Sequence, residues 1–77
     1  MNARALHYSL IIEWSDADQA YIVSLPEFPG QHTHGATYEE AVAQGQDLID
    51  TWVHIYQEDG KPLPLPKVFN AHRQKAS

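Results

Sequence analysis

The chain predicts an α+β fold, a three-stranded antiparallel sheet with one long helix packed on it. Three observations lead there. Two runs rich in strand formers, residues 7–13 (HYSLIIE) and 20–25 (AYIVSL), flank the turn-forming SDADQ of residues 15–19. The corner LPEFPG, residues 25–30, holds two prolines that cannot donate to a ladder. From residue 38 onward, apolar side chains recur at three and four positions, the period of a helix face.

In the first strand Tyr8, Leu10 and Ile12 alternate with His7, Ser9, Ile11 and Glu13. In the second, Tyr21, Val23 and Leu25 share a face. Both faces of this hairpin carry apolar side chains, more than a sheet covered on one side needs, so the second face is expected to meet another subunit. Pro26 and Pro29 stop the second strand, Gly30 permits the sharp turn, and a short third strand follows at residues 31–34. Gly35 and Thr37 reset the chain for the helix. Thr37 with Glu40 makes the S/T-x-x-E pattern of a capping box.

The helix is expected from residue 38 to about 59, its packing stripe made by Tyr38, Ala41, Val42, Gly45, Leu48, Ile49, Trp52 and Tyr56. Gly45 costs roughly 1 kcal/mol of helix propensity, which implies close approach of another element at that point. Gly60 suits a left-handed cap. KPLPLP, residues 61–66, must be extended, and residues 67–69 allow a fourth, edge strand. Residues 1–69 thus read as a single domain and 70–77 as a polar, flexible tail.

Composition narrows the function. A chain of 77 residues buries only roughly 60% of its unfolded surface, and no cysteine is present to staple it. Added burial from a homo-oligomer, dimer or tetramer, is therefore expected. Ten acidic against five basic residues give a net charge of −5, which opposes a nucleic-acid interface and suits a basic protein partner. No apolar run approaches a membrane span and no signal-peptide core is seen, so the expected location is the cytoplasm.

With these residues laid out, the chain resembles the HicB-like antitoxin family. The matching features are Tyr21 in a strand, Pro26, Phe28-Pro29-Gly30, Gly35, Thr37, Glu39-Glu40-Ala41, and Asp59-Gly60 followed by Pro62 and Pro64. They span residues 7 to 66, and their order and spacing carry the resemblance more than any single piece. It implies a partial ribonuclease-H-like arrangement of three antiparallel strands, a helix and a final strand. It also implies a non-catalytic protein that masks a small basic mRNA-cleaving toxin, with no cofactor. The chain departs from the family in two ways. It ends eleven residues after Pro66, too soon for the DNA-binding module that many members carry, and Gln31 stands where cysteine is common. The first speaks against autonomous operator binding, the second against a thiol role.

Two other functions compete. A degenerate metal-dependent nuclease would need clustered carboxylates, and Glu13, Asp16, Asp18, Asp47 and Asp50 are the candidates. The first three sit at a hairpin end and the last two off the helix stripe, where solvated acids are ordinary. An orphan small-molecule or metal-binding oligomer would use His32 and His34, which share a strand face but make only half of a tetrahedral site. Among the aromatics, Trp52 and Tyr56 lie on the helix stripe and read as core or helix–helix contact. Trp14 ends the first strand, and Phe28 is either tucked over the core or displayed to a partner. These four are the expected interface residues.

Overall fold

The computed structural model describes residues 7–69, in the order β1 (Ile11–Ser15), β2 (Ala20–Ser24), β3 (His32–Gly35) and α1 (Tyr38–Glu58). The strands form one antiparallel sheet with β2 in the middle, and the helix packs on one face of it. The expected α+β fold with three antiparallel strands is the one observed. The polar tail expected at residues 70–77 lies outside the described residues.

The first strand is displaced from its expected place. Pairing runs from Ile11↔Ser24 to Ser15↔Ala20, so the ladder starts later and continues further than residues 7–13. Continuing this register would set Ser9 opposite Pro26, which has no N–H to give. The Ser9 N–H bonds instead to the carboxylate of Glu27, 3.1 and 3.2 Å from its two oxygens. The turn therefore shrinks to residues 16–19, closed by Ser15 Oγ accepting from Asp18 N at 3.2 Å. Gln19 takes a left-handed φ of 52°, and its side-chain amide donates to Asp16 O at 2.7 Å.

The proline corner is two consecutive turns, Phe28 N donating to Leu25 O and Gln31 N to Phe28 O. Each has proline at its second position, where a φ fixed near −65° is preset for a turn. In the second turn Gly30 follows Pro29 with φ +88°, the Pro-Gly order of a type II turn. The corner folds Phe28 inward: it is 2% exposed and meets Tyr8 and Tyr56 edge-on at 5.0 and 5.4 Å between ring centroids. Tyr8, Leu25, Phe28, Ile49 and Val53 form the core cluster, with Leu10, Leu48, Trp52, Tyr56 and Leu63 packed around it.

Helix α1 starts as a capping box predicts. Thr37 Oγ1 accepts from Glu40 N at 3.0 Å, and Glu40 Oε1 accepts from Ala36 N at 2.6 Å, one residue before the cap. The helix ends in a Schellman motif: Lys61 N donates to Tyr56 O and Gly60 N to Gln57 O, with Gly60 at φ +71°. Its buried row is Ala41, Gly45, Ile49 and Val53. That i, i+4 row winds about 40° per step around the axis, so the packing line drifts away from part of the expected stripe. Val53 joins the core, while Tyr38 and Val42 stand exposed. The close approach inferred at Gly45 is present: a Cβ there would lie 2.7 Å from Leu10 Cδ2 and 3.0 Å from Val23 Cγ1.

The fourth edge strand is not formed: residues 61–69 make no ladder. Three prolines remove donors, and the N–H of Lys67 goes to a side chain instead of a strand, Glu27 Oε2 at 2.8 Å. Tyr8 Oη donating to Pro64 O at 2.6 Å and Ser9 Oγ donating to Lys67 O at 3.2 Å hold the same segment along residues 8 and 9.

Candidate functional site

Alternation along the strands sorts the side chains of the sheet between two faces. Toward the helix point Ile12 and Trp14 from β1, with Leu10 just before it, Tyr21 and Val23 from β2, and Thr33 from β3, where Gly35 shares the face. Away from it point Ile11 and Glu13, Ile22 and Ser24, and His32 and His34. The register aligns them in two cross-strand rows, Ile11–Ser24–His32 and Glu13–Ile22–His34. The two histidines thus share a face, as their spacing predicts, and both are exposed. Among the described residues no group of three or more His, Asp or Glu side chains is placed to hold a metal ion. Glu13, Asp16, Asp18, Asp47 and Asp50 are all exposed; Asp16 and Asp18 bond within the hairpin end, and Asp47 and Asp50 lie on the outer side of the helix.

Of the four aromatic residues singled out from the sequence, the structure brings three to one end of the core. Phe28 and Tyr56 touch each other and Trp52 packs beside them, so Phe28 is tucked over the core and absent from the surface of the single chain. Trp14 is apart, 49% exposed at the other end of the sheet. Its ring meets Tyr21 edge-on at 5.0 Å, and Tyr21 stacks on Tyr38 at 4.3 Å with an interplanar angle of 28°. Tyr38 is 61% exposed. Partial desolvation, then the neighbouring Tyr38 phenol, hold the Tyr21 phenol above the ordinary tyrosine value. The sequence pattern puts Tyr38 in the helix stripe and Tyr21 on a strand face with Val23 and Leu25. Their joining with Trp14 into one surface depends on the helix start lying over the ends of the strands, which local pattern does not encode.

Glu27 has no sequence signal for the part it plays. It is the one buried charged residue among those described, 6% exposed. Its carboxylate accepts from Ser9 N, Ser9 Oγ and Lys67 N. A glutamate between two prolines reads as a loop residue; only folding shows that it ties Ser9, just before β1, to the last described segment.

Charge is segregated along the chain. All ten acidic residues lie between Glu13 and Asp59, and no lysine or arginine lies between Arg4 and Lys61. The sheet and helix are therefore an acidic body with no lysine or arginine, and the described lysines, Lys61 and Lys67, follow the end of the helix. No helix among the described residues is long and apolar enough to cross a membrane.

A family model described as the HicB-like antitoxin of bacterial toxin–antitoxin systems matches residues 8–77. Among curated proteins, the chain is 41% identical over 46 residues to Antitoxin HicB 1 of Photorhabdus laumondii subsp. laumondii, an alignment covering 60% of this chain and 30% of that protein. It is 33% identical over 55 residues to Antitoxin HicB 2 of the same organism, covering 71% of this chain and 40% of the relative. The chain thus spans less than half the length of these curated relatives. No solved structure matches it significantly.

Proposed function

Because this chain belongs to the HicB-like antitoxin family of bacterial toxin–antitoxin systems, we propose that it is a non-catalytic, cytoplasmic protein that binds and masks a small basic mRNA-cleaving toxin. The observation that carries this reading is the charge segregation. An acidic body free of lysine and arginine from residue 5 to residue 60 attracts a basic protein over several ångströms of screened distance. The same surface repels phosphate backbones, so direct nucleic-acid binding by this domain is not part of the proposal.

Co-expression with the small basic protein encoded beside its gene tests the reading. Growth arrested by that protein alone is restored by the chain, and the two co-purify with an affinity that falls as salt rises. Continued arrest, with no co-purification at low salt, refutes it.

We also propose that the protein acts as a homo-oligomer, a dimer or tetramer. The helix covers one face of the sheet, and Ile11, 45% exposed, and Ile22 lie on the other. Light scattering on the purified protein is expected to give a multiple of the 8.7 kDa chain mass, and Ile11→Lys to reduce it. A monomer at micromolar concentration rejects this part.

A further inference from the structure

The surface formed by Trp14, Tyr21 and Tyr38 presents aromatic rings in an acidic setting. Tyr38 begins α1 and stacks its ring on Tyr21 of β2, which in turn meets Trp14 of β1. Val42, one helical turn after Tyr38, extends the exposed apolar area on the same side of the helix. The rings are held by contacts within the chain. Trp14 Nε1 donates to Asp16 Oδ1 at 2.8 Å, which sets the indole orientation, and the Tyr21–Tyr38 stack holds the third ring.

The charge around these rings has one sign. Asp16 stands at the indole edge, Glu39 follows Tyr38 directly, and Glu40 is exposed in the same turn. Neither the sheet nor the helix carries a lysine or arginine that could fold back over the rings. At the other end of the helix the chain does place such a cation, Lys61 Nζ lying 6.0 Å from the Tyr56 ring centroid. The face of an aromatic ring carries negative quadrupolar charge and attracts a guanidinium or ammonium. A carboxylate at the ring edge adds a charge-assisted hydrogen bond. Rings already held by such contacts lose less entropy when a partner arrives, a property of binding anchors.

We propose that the Trp14–Tyr21–Tyr38 surface is the docking site for an arginine or lysine side chain of the basic partner protein, held over the Tyr38 and Trp14 rings and paired with Asp16 or Glu39. This rests on the proposed antitoxin function and assigns the partner contact to one end of the domain. It separates that contact from the outward sheet face, which is left to self-association.

Calorimetric titration of the full chain with the small basic protein encoded beside its gene tests the assignment. Tyr38→Leu and Trp14→Leu are each expected to weaken binding roughly tenfold, within the range of a partly desolvated cation–π contact. Tyr38→Phe, which keeps the ring face, and Gln57→Ala, exposed at the other end of α1, stay within about threefold of wild type by the same scale. Both side chains lie outside the core cluster, so far-UV circular dichroism of each variant stays close to wild type, and the loss of a ring contact lowers the melting temperature by only about 4–8 °C, leaving each variant folded at the titration temperature. Wild-type binding with Tyr38→Leu and Trp14→Leu equally tight overturns this assignment and leaves the antitoxin reading standing. A loss in Tyr38→Phe as large as in Tyr38→Leu overturns the cation–π contact in favour of the hydroxyl. Absence of wild-type binding overturns the antitoxin reading and the assignment with it.

Discussion

Replacing Glu27 by alanine is the most informative single perturbation of this fold. The carboxylate accepts from two backbone N–H groups, Ser9 at 3.1 Å and Lys67 at 2.8 Å, and from the Ser9 hydroxyl at 3.1 Å. The hydroxyl keeps its second contact, donating to Lys67 O, so its loss costs little. The two N–H groups have no other hydrogen-bond partner among the described residues, and an orphaned donor costs about 1–3 kcal/mol. Both sites are only partly buried, which admits some water and favours the lower half of that range. The sum is about 2–4 kcal/mol, against a total stability of roughly 4–11 kcal/mol for a chain of this length. For a domain this small each kcal/mol moves the melting temperature by about 4–8 °C, so Glu27→Ala is expected to melt about 10–25 °C lower. Glu27→Gln keeps one acceptor oxygen but turns an amide NH₂ toward donors, and falls between. Thermal melts by circular dichroism read the global effect, and amide hydrogen exchange at Ser9 and Lys67 reads the local one. A variant melting within about 3 °C of wild type, with both amides still protected, would falsify the reasoning.

Three further substitutions separate kinds of packing. Gly35→Ala puts a Cβ 2.5 Å from Ala41 N and 2.8 Å from Ala41 Cα; helix backbone cannot move aside, so a loss of about 3 kcal/mol or more is expected in urea unfolding. Gly45→Ala meets the mobile end of Leu10 first and gains about 1 kcal/mol of helix propensity, with the stiff Val23 behind it. Its net change is expected within about 1 kcal/mol of zero, and a Gly45→Ala variant less stable than Gly35→Ala contradicts this ordering. Thr37→Ala removes the side-chain acceptor of Glu40 N and is expected to lower stability by about 1 kcal/mol; an unchanged melt would show that the reach-back from Glu40 caps the helix alone.

Much of this protein is written locally. Thr37 and Glu40 mark the start of the helix and Gly60 its end, because caps depend on residues within one turn. Pro26, Pro29 and Gly30 set the corner, since proline fixes φ and only glycine enters the left-handed region freely. Alternation put His32 and His34 on one face, and the glycine in the helix stripe announced a close approach that the structure fills with Leu10 and Val23. The order of turns and caps was enough to recognise the family. Tertiary structure decided the rest. Ser9 gave up its place in the ladder because folding brought Glu27 to its N–H, and Lys67 failed to form an edge strand for the same reason. Phe28 went inward because the two turns aim it at Tyr8 and Tyr56, a direction that its neighbours in sequence leave open. Trp14, Tyr21 and Tyr38 became one surface only when the helix start settled over the strand ends. Backbone conformation answers to residues a few positions away, whereas a buried carboxylate's donors and an aromatic cluster's members come from segments joined only by the closed fold.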